Sequence, residues 1–424
     1  MSAEVIALIV LVAVFAIAAF RNVHMGALAL VAAFAVGIGV VGESLDDVLG
    51  GFPVDALVIL LGITYLFGLA HETGTINWLV DRSLSLIGNR VALLPWGLWL
   101  IATAVACLGT SHAAFAVVPI AMSLAHSHRI SSTMMGIIMS SGIVGGALAP
   151  TSIVGITVQT VASSANVAYN AALMFALSIG INALVVLVAF FMFGGRELLA
   201  RSHASNASAG CTDGSVATKT RPTAMQVVVM VSIIVLVAGF FALTQLGVDI
   251  NLGVVALTIA VIISLVDPKV GKNAIKRVDW GTILLLGGII TYVGVLTRLG
   301  AIDQLGEIAR SVSEPLLAAF VICVIAALVS AFASTIGIIG ALIPLAVPLL
   351  VPGGGLETTG FIYALAISAS LVDCAPFGTT GATIVASTVE EHRATVNRNL
   401  TIWGLSMVLV GPLVTLAVMV VPFL

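Results

Sequence analysis

Apolar residues run along this chain in blocks of about 20, the length that carries one helix across the hydrocarbon core of a bilayer. Polar, glycine- and proline-bearing segments separate the blocks. The pattern predicts spans near 3–20, 25–42, 55–71, 134–162, 166–195, 226–245, 249–266, 280–298, 357–388 and 399–423. Two more apolar stretches, 91–127 and 314–351, are too long for one helix, and small polar residues interrupt each near its middle, "GTSHAAF" at 109–115 and "ASTIGIIG" at 333–340. Each is read as a re-entrant hairpin, entering and leaving on one side, which leaves ten full crossings.

Two of the spans are themselves broken. "LAPTSIVGITV" (148–158) and "CAPFGTTGATIV" (374–385) place proline, glycine and hydroxyl residues where a membrane helix normally carries leucines. A broken helix frees backbone N–H and carbonyl groups, and such backbone is tolerated at membrane depth only when buried in protein or lining a wet cavity.

Composition narrows the class. With 60% hydrophobic and 8% charged residues and a mean hydropathy of +1.22, the chain is a polytopic membrane protein with no room for a soluble catalytic or nucleic-acid-binding domain. The first apolar run lacks a basic leader and a small-residue cleavage site, so it is read as a retained span. Cys107, Cys211, Cys323 and Cys374 form no CxxC pair and give no disulfide or metal signal.

Basic residues set the orientation, since short cytoplasmic loops collect Lys and Arg. With both termini outside, fourteen of the sixteen basic residues fall inside, and only Arg298 and Arg310 fall outside. The acidic loop "GESLDDVLGG" is outside. Trp96, Trp99 and Trp280 read as anchors at the membrane interface. His71, Glu72, His126 and His128 lie near span ends.

The two halves are related at a constant offset of 226: Gly62 meets Gly288, Gly68 meets Gly294, Gly74 meets Gly300, Ala149-Pro150 meets Ala375-Pro376, Gly155 meets Gly381 and Thr157 meets Thr383. Shifted by one residue, Thr110 meets Thr335 and Pro119 meets Pro344. The chain therefore divides into repeat 1 (1–195), a linker (196–225) read as disordered and cytoplasmic, and repeat 2 (226–424). Each repeat has five crossings, an odd number, so the second is expected upside down relative to the first. The expected fold is all-α: two inverted repeats of five transmembrane helices, each with a re-entrant hairpin and a broken helix. That is the architecture of secondary transporters, with substrate near the midplane where the breaks meet.

At such a meeting point helix N-termini point N–H donors at an anion, while unwound carbonyls and hydroxyls suit a small hard cation. No Lys or Arg lies within a predicted membrane core, so a carboxylate would be held without arginine. Candidate substrate ligands are Thr110, Ser111, His112, Thr151, Ser152, Ser334, Thr335, Gly378, Thr379 and Thr380. Candidate cation ligands are Ser111, Gly155, Thr157, Thr335, Asp373, Gly381 and Thr383. A proline kink with hydroxyls bonded back to the helix is the competing reading. Intramembrane ionisable residues are costly and usually functional. Asp373 suits a cation or a proton; His112 suits an anion or a proton. The glycines in "SSGIVGGALAP" suit close helix packing, and there is no P-loop for ATP.

"GTSHAAFAVVPIAM" with "GALAPTSIVGITV", mirrored by "ASTIGIIGALIPLAV" and "DCAPFGTTGATIV", resembles the ion transporter superfamily that includes the divalent anion/sodium symporters, and within it the malonate/dicarboxylate (MatC-type) carriers, especially over the first 200 residues. The resemblance implies a scaffold domain, a transport domain that moves as an elevator, and a homodimer. The symporters' Ser-Asn-Thr motif falls on Thr110-Ser111-His112 and Ser334-Thr335-Ile336, and neither tip keeps the asparagine.

The expected function is secondary active transport of a small organic anion, a dicarboxylate such as malonate or a four-carbon acid, across the cell inner (plasma) membrane. The coupling ion is sodium or a proton, with no other cofactor or metal. The alternative is a sodium/proton antiporter or an inorganic or metalloid anion transporter on the same scaffold. An intramembrane enzyme lacks a third group to converge with His112 and Asp373.

Overall fold

The computed structural model describes residues 2–21, 23–79, 82, 91–109, 113–165, 167–200, 221–245, 251–301, 315–332, 335–350 and 358–423, and among them there are helices and no strand. In chain order the helices are α1 (Ala3–Arg21), α2 (Met25–Val36), α3 (Leu45–Gly50), α4 (Val54–Glu72), α5 (Leu94–Cys107), α6 (Ala113–Ser127), α7 (Ser132–Ala147), α8 (Ile153–Ser164) and α9 (Ala171–Met192). The second half holds α10 (Ala224–Gln245), α11 (Leu252–Val266), α12 (Pro268–Ala274), α13 (Trp280–Arg298), α14 (Pro315–Phe332), α15 (Thr335–Leu350), α16 (Thr358–Leu371), α17 (Thr379–Ser387) and α18 (Glu390–Met419). By length and composition, α4, α9, α13, the α16–α17 segment and α18 are long and apolar enough to cross a membrane, and shorter apolar helices take the other expected spans. This is a multi-pass, all-α membrane protein.

Helix lengths bear on the two ambiguous stretches. At 1.5 Å per residue, the 14 residues of α5 and 15 of α6 reach about 21 and 22 Å, short of a hydrocarbon core of about 30 Å. The arms pack on one another, as do α14 and α15. The second break is shorter than the sequence pattern implies: α15 already begins at Thr335, which puts that threonine on a helix start.

Hydropathy misplaces ends where a helix runs on into polar residues. The last span was expected from 399, yet α18 begins at Glu390 and is 30 residues long. Its first turns carry Glu390 and Glu391, whose charges suit the positive end of a helix. Two short polar helices also escape an apolar pattern. α3 starts at a Ser44–Asp47 capping box, which holds the Asp47 carboxyl below its usual range. α12 starts at an Asp267 cap with proline at its first position. Of the expected linker, residues 196–200 are helical with Leu198 buried, and 201–220 lie outside the described residues. Trp99 is not an interfacial anchor: it is buried, with its indole N–H unpartnered, against Gly142. A tryptophan near a span end marks an interface only when no neighbouring helix covers it.

Packing between the halves is reciprocal. α4 lies on α11, and its counterpart α13 lies on α2. Both crossings are backbone-close: a methyl on Gly62 would strike the Gly253 carbonyl, and one on Gly288 would strike that of Gly26. The helix ends carry a matched pair of ion bridges. Glu72, closing α4, pairs with Arg277 of the second half. Arg298, its counterpart closing α13, pairs with Glu43 of the first half through bonds of 2.8 and 2.9 Å. Next, α5 packs on α7 and α14 on α16, then α7 on α9 and α16 on α18. Finally the second arm of each hairpin reaches the other half: α6 packs on α17, and α15 on α8. These last contacts bring both hairpins and both broken helices into one cluster. α1, α2 and α13 form a smaller apolar group of their own, tied by the Tyr292 hydroxyl to the Ala7 carbonyl at 2.7 Å.

Candidate functional site

Both breaks are built alike. After α7 the Ser152 N–H donates to the Ala149 carbonyl at 2.9 Å, and after α16 the Gly378 N–H donates to the Ala375 carbonyl at 3.1 Å. Pro150 and Pro376 stand second in these four-residue turns, where the fixed φ of proline fits and its missing N–H is no loss. Each turn folds back on the helix that restarts beyond it. A methyl on Gly155 would collide with the Ala149 carbonyl, and one on Gly381 with that of Ala375. Glycine recurs at this offset because the turn carbonyl occupies the place of a side chain. Gly155 and Gly381 thus serve the turn's geometry.

The restarted helices begin uncapped. Ser131, Asn170, Asn251 and Asp279 each cap their helices through a side-chain oxygen. Ser152, chemically able to, makes no such bond at the start of α8, and Gly378 at the start of α17 has no side chain to use. Thr151, Ser152, Ile153 and Gly155 are buried. Among the described residues no side chain caps the first-turn N–H groups of α8, which lie in a place shielded from bulk water, the setting in which a helix start holds an anion.

Side chains tie the hairpins to the breaks. The Thr151 hydroxyl donates to the Cys107 carbonyl, at the end of α5, at 2.7 Å. Gly109, just beyond, adopts a left-handed φ of 71°, and a methyl there would strike the Phe67 ring of α4 and the Thr151 carbonyl. In the second half the Thr335 hydroxyl donates to Asp373 Oδ1 at 2.8 Å and lies 2.8 Å from the Ser330 hydroxyl. Thr110, Ser111, His112 and Ser334 lie outside the described residues. Thr379 is exposed, and Gly378 and Thr380 are half-buried, at the accessible start of α17.

Two expected cation ligands have other partners. The Thr157 hydroxyl donates to the Ile153 carbonyl at 2.8 Å, and the Thr383 hydroxyl to the Thr379 carbonyl at 2.7 Å. Both are bonds back to the same helix, one turn earlier.

A cavity of about 420 Å³ opens onto this region, lined by Thr64, Phe67 and His71 of α4, by Lys276, Arg277 and Trp280, and by Gly109 and Ile153. It joins Lys276, Arg277 (paired with Glu72) and the acidic Asp279 to the start of α8. Sequence reading missed Lys276, Arg277, Phe67 and Ser330 as site residues. Lys276 and Arg277 stood out only as loop charges, and nothing local signals that they face a residue as distant in sequence as Ile153.

A multi-pass helical protein with paired breaks, paired hairpins and a cavity reaching the first break has the make-up of a membrane carrier. Residues 1–147 match the family model described as the dicarboxylate carrier protein MatC N-terminus, the MatC-type resemblance that the residues themselves carry. A comparison with curated proteins finds no match. Among solved structures the chain is similar to the YdaH transporter of Alcanivorax borkumensis, described as having an unusual topology, with 15% identity over 87% of this chain and 86% of that one and a TM-score of 0.49.

Proposed function

We propose that this protein is a secondary active transporter, not an enzyme, for a small organic anion of the dicarboxylate type, malonate or a four-carbon acid, driven by a sodium or proton gradient across the inner membrane. The observation that carries the reading is the cavity running from Lys276 and Arg277 to the open start of α8 at Ile153. Lys276 at the mouth draws in a dianion, with Arg277 held by Glu72 and Asp279 beside it, and the first-turn N–H groups of α8 replace part of its water shell. The dicarboxylate class rests on the family match over residues 1–147.

The two repeats are placed in opposite orientations with both termini outside. Odd crossing numbers, the distribution of Lys and Arg, and the reciprocal ion pairs at Glu72 and Arg298 support this. On this reading the cavity faces the cytoplasm, between a scaffold containing α4, α11 and α13 and a moving part made of the hairpins and broken helices. That part moves as an elevator, in a homodimer.

The test is uptake of radiolabelled malonate into proteoliposomes, with sodium and proton gradients imposed separately and unlabelled mono-, di- and tricarboxylates as competitors. Gradient-driven uptake competed by dicarboxylates is expected. If folded protein moves no carboxylate but acidifies vesicles on sodium addition, the inorganic-ion alternative takes its place.

A further inference from the structure

We propose that Asp373 is the proton-binding site of this carrier, so that a proton and the dicarboxylate travel together. The inference rests on the transport reading above and names its coupling ion. Asp373 lies in the single turn Val372–Cys374 between α16 and the second break. Its hydrogen-bond donor among the described residues is the hydroxyl of Thr335, at 2.8 Å. Two ion pairs elsewhere, Glu72 with Arg277 and Glu43 with Arg298, lie at helix ends.

Among the described residues, the elements packed against this turn offer Asp373 no counter-charge. α7 and α17 carry no titratable residue, α14 carries Cys323, and α16 carries Tyr363. Cys374 is its neighbour in the turn. The charged residues of α18 are Glu390, Glu391, His392, Arg393 and Arg398, all earlier than Gly404, the residue that meets the break at Ala375. Asp373 is half-buried, and a carboxylate at membrane depth with one hydroxyl donor among the described residues favours a proton or a cation beside it.

The oxygens on hand favour the proton. A bare cation needs a shell of oxygen ligands. Thr383, Thr157 and Thr151 have turned their hydroxyls onto backbone carbonyls, and the Ala375 carbonyl accepts from Gly378 within the turn. Among the described residues, the hydroxyls hydrogen-bonded at Asp373 are that of Thr335 and, through it, that of Ser330. No cluster of three or more His, Cys, Asp or Glu suited to a metal ion occurs among the described residues. A proton needs one oxygen. The position equivalent to Asp373 in the first half is Ala147, so the fold carries one such site.

Geometry links the proton to the substrate. The break folds back so that a methyl on Gly378, the residue before α17, would stand 3.9 Å from the Asp373 carbonyl oxygen. An anion held at the start of α17 therefore lies beside the backbone of the turn that carries Asp373. Two like charges disfavour each other's ionised form, so the dianion binds best when Asp373 has taken a proton from water on its side of the membrane. When the anion leaves on the other side, the carboxyl releases that proton there. The direction of coupling is symport.

The experiment uses the full chain in sodium-free proteoliposomes with labelled malonate, measuring exchange against internal malonate and net accumulation under an inside-alkaline pH gradient. Wild type is expected to do both and to be indifferent to added sodium. Asp373→Asn should lose accumulation, and whatever exchange it keeps should no longer vary with pH; Asp373→Glu should restore the pH-driven step. The proposal is overturned if wild-type accumulation requires sodium and ignores the pH gradient, or if Asp373→Asn still accumulates malonate. It is overturned equally if proton coupling survives that change and is lost in His112→Gln. Failure of wild type even to exchange malonate, with folded protein in the vesicles, sinks the transport reading itself and is thereby told apart from the wrong ion.

Discussion

The hydroxyl of Thr335, at the start of α15, donates a 2.8 Å hydrogen bond to the carboxylate of Asp373, 38 residues further along the chain. One bond thus joins the tip of the second hairpin to the second broken helix, and a motion of either is felt by the other. Thr335→Val removes the donor and leaves the carboxyl without it. A hydrogen bond to a charged group is worth about 1.5–3 kcal/mol, so transport should fall roughly 10- to 100-fold, while Thr335→Ser keeps most of it. Initial uptake rates of the two variants, with expression and monodispersity checked, decide the matter.

Thr379 stands exposed at the start of α17. Thr379→Trp fills the space in front of that helix start and should abolish uptake while the protein stays folded. Unchanged uptake removes the second break from the mechanism.

The glycines of the two breaks are constrained by the turn carbonyls. Gly155→Ala and Gly381→Ala force the Ala149 or Ala375 carbonyl aside, and overpacking of this kind costs about 1–3 kcal/mol. Gly180, inside α9 with open space around it, is the contrast. Gly180→Ala should be neutral or stabilising by up to about 1 kcal/mol. Thermal-stability measurements in one detergent order the three variants, and equal stability of Gly155→Ala and wild type contradicts the turn geometry described.

The ion pairs at Glu72 and Arg298 sit at helix ends and are partly exposed, so each should contribute only about 0.2–1 kcal/mol. The two-bond Arg298–Glu43 pair is expected to be the stronger. A double-mutant cycle with Arg298→Glu and Glu43→Arg should show the swapped pair recovering part of what each single change loses. Additive losses mean the pair holds nothing.

Much of the architecture was legible because its signals are local. Pro150 and Pro376 with Gly155 and Gly381 mark the breaks, since a proline removes a helix bond wherever it stands, and α13 spans the residues that hydropathy assigns to it. The start of α18 was not legible, because the polar residues Glu390–Arg398 continue a helix beyond the apolar run that hydropathy detects. Trp99 was misplaced for a related reason: an apolar pattern does not say whether lipid or another helix covers a side chain. Within the site, the hydroxyls at the breaks could be picked out by type, but their partners could not. Thr383 and Thr157 turn back on their own helices, whereas Thr151 and Thr335 reach across to other elements. The approach of Lys276 and Arg277 to the start of α8 depends on how α4 lies between the two halves, a long-range relationship that no short stretch encodes.

The central claim is that a dicarboxylate is carried by alternating access through this site. Counterflow tests it most directly. Vesicles holding the protein and loaded with unlabelled malonate are diluted into a trace of labelled malonate with no ion gradient. The account predicts a transient accumulation of label above equilibrium that saturates with concentration and is suppressed by external four-carbon dicarboxylate. Label that only equilibrates, without overshoot or saturation, indicates a pore and contradicts the account, as does folded protein that moves no label at all.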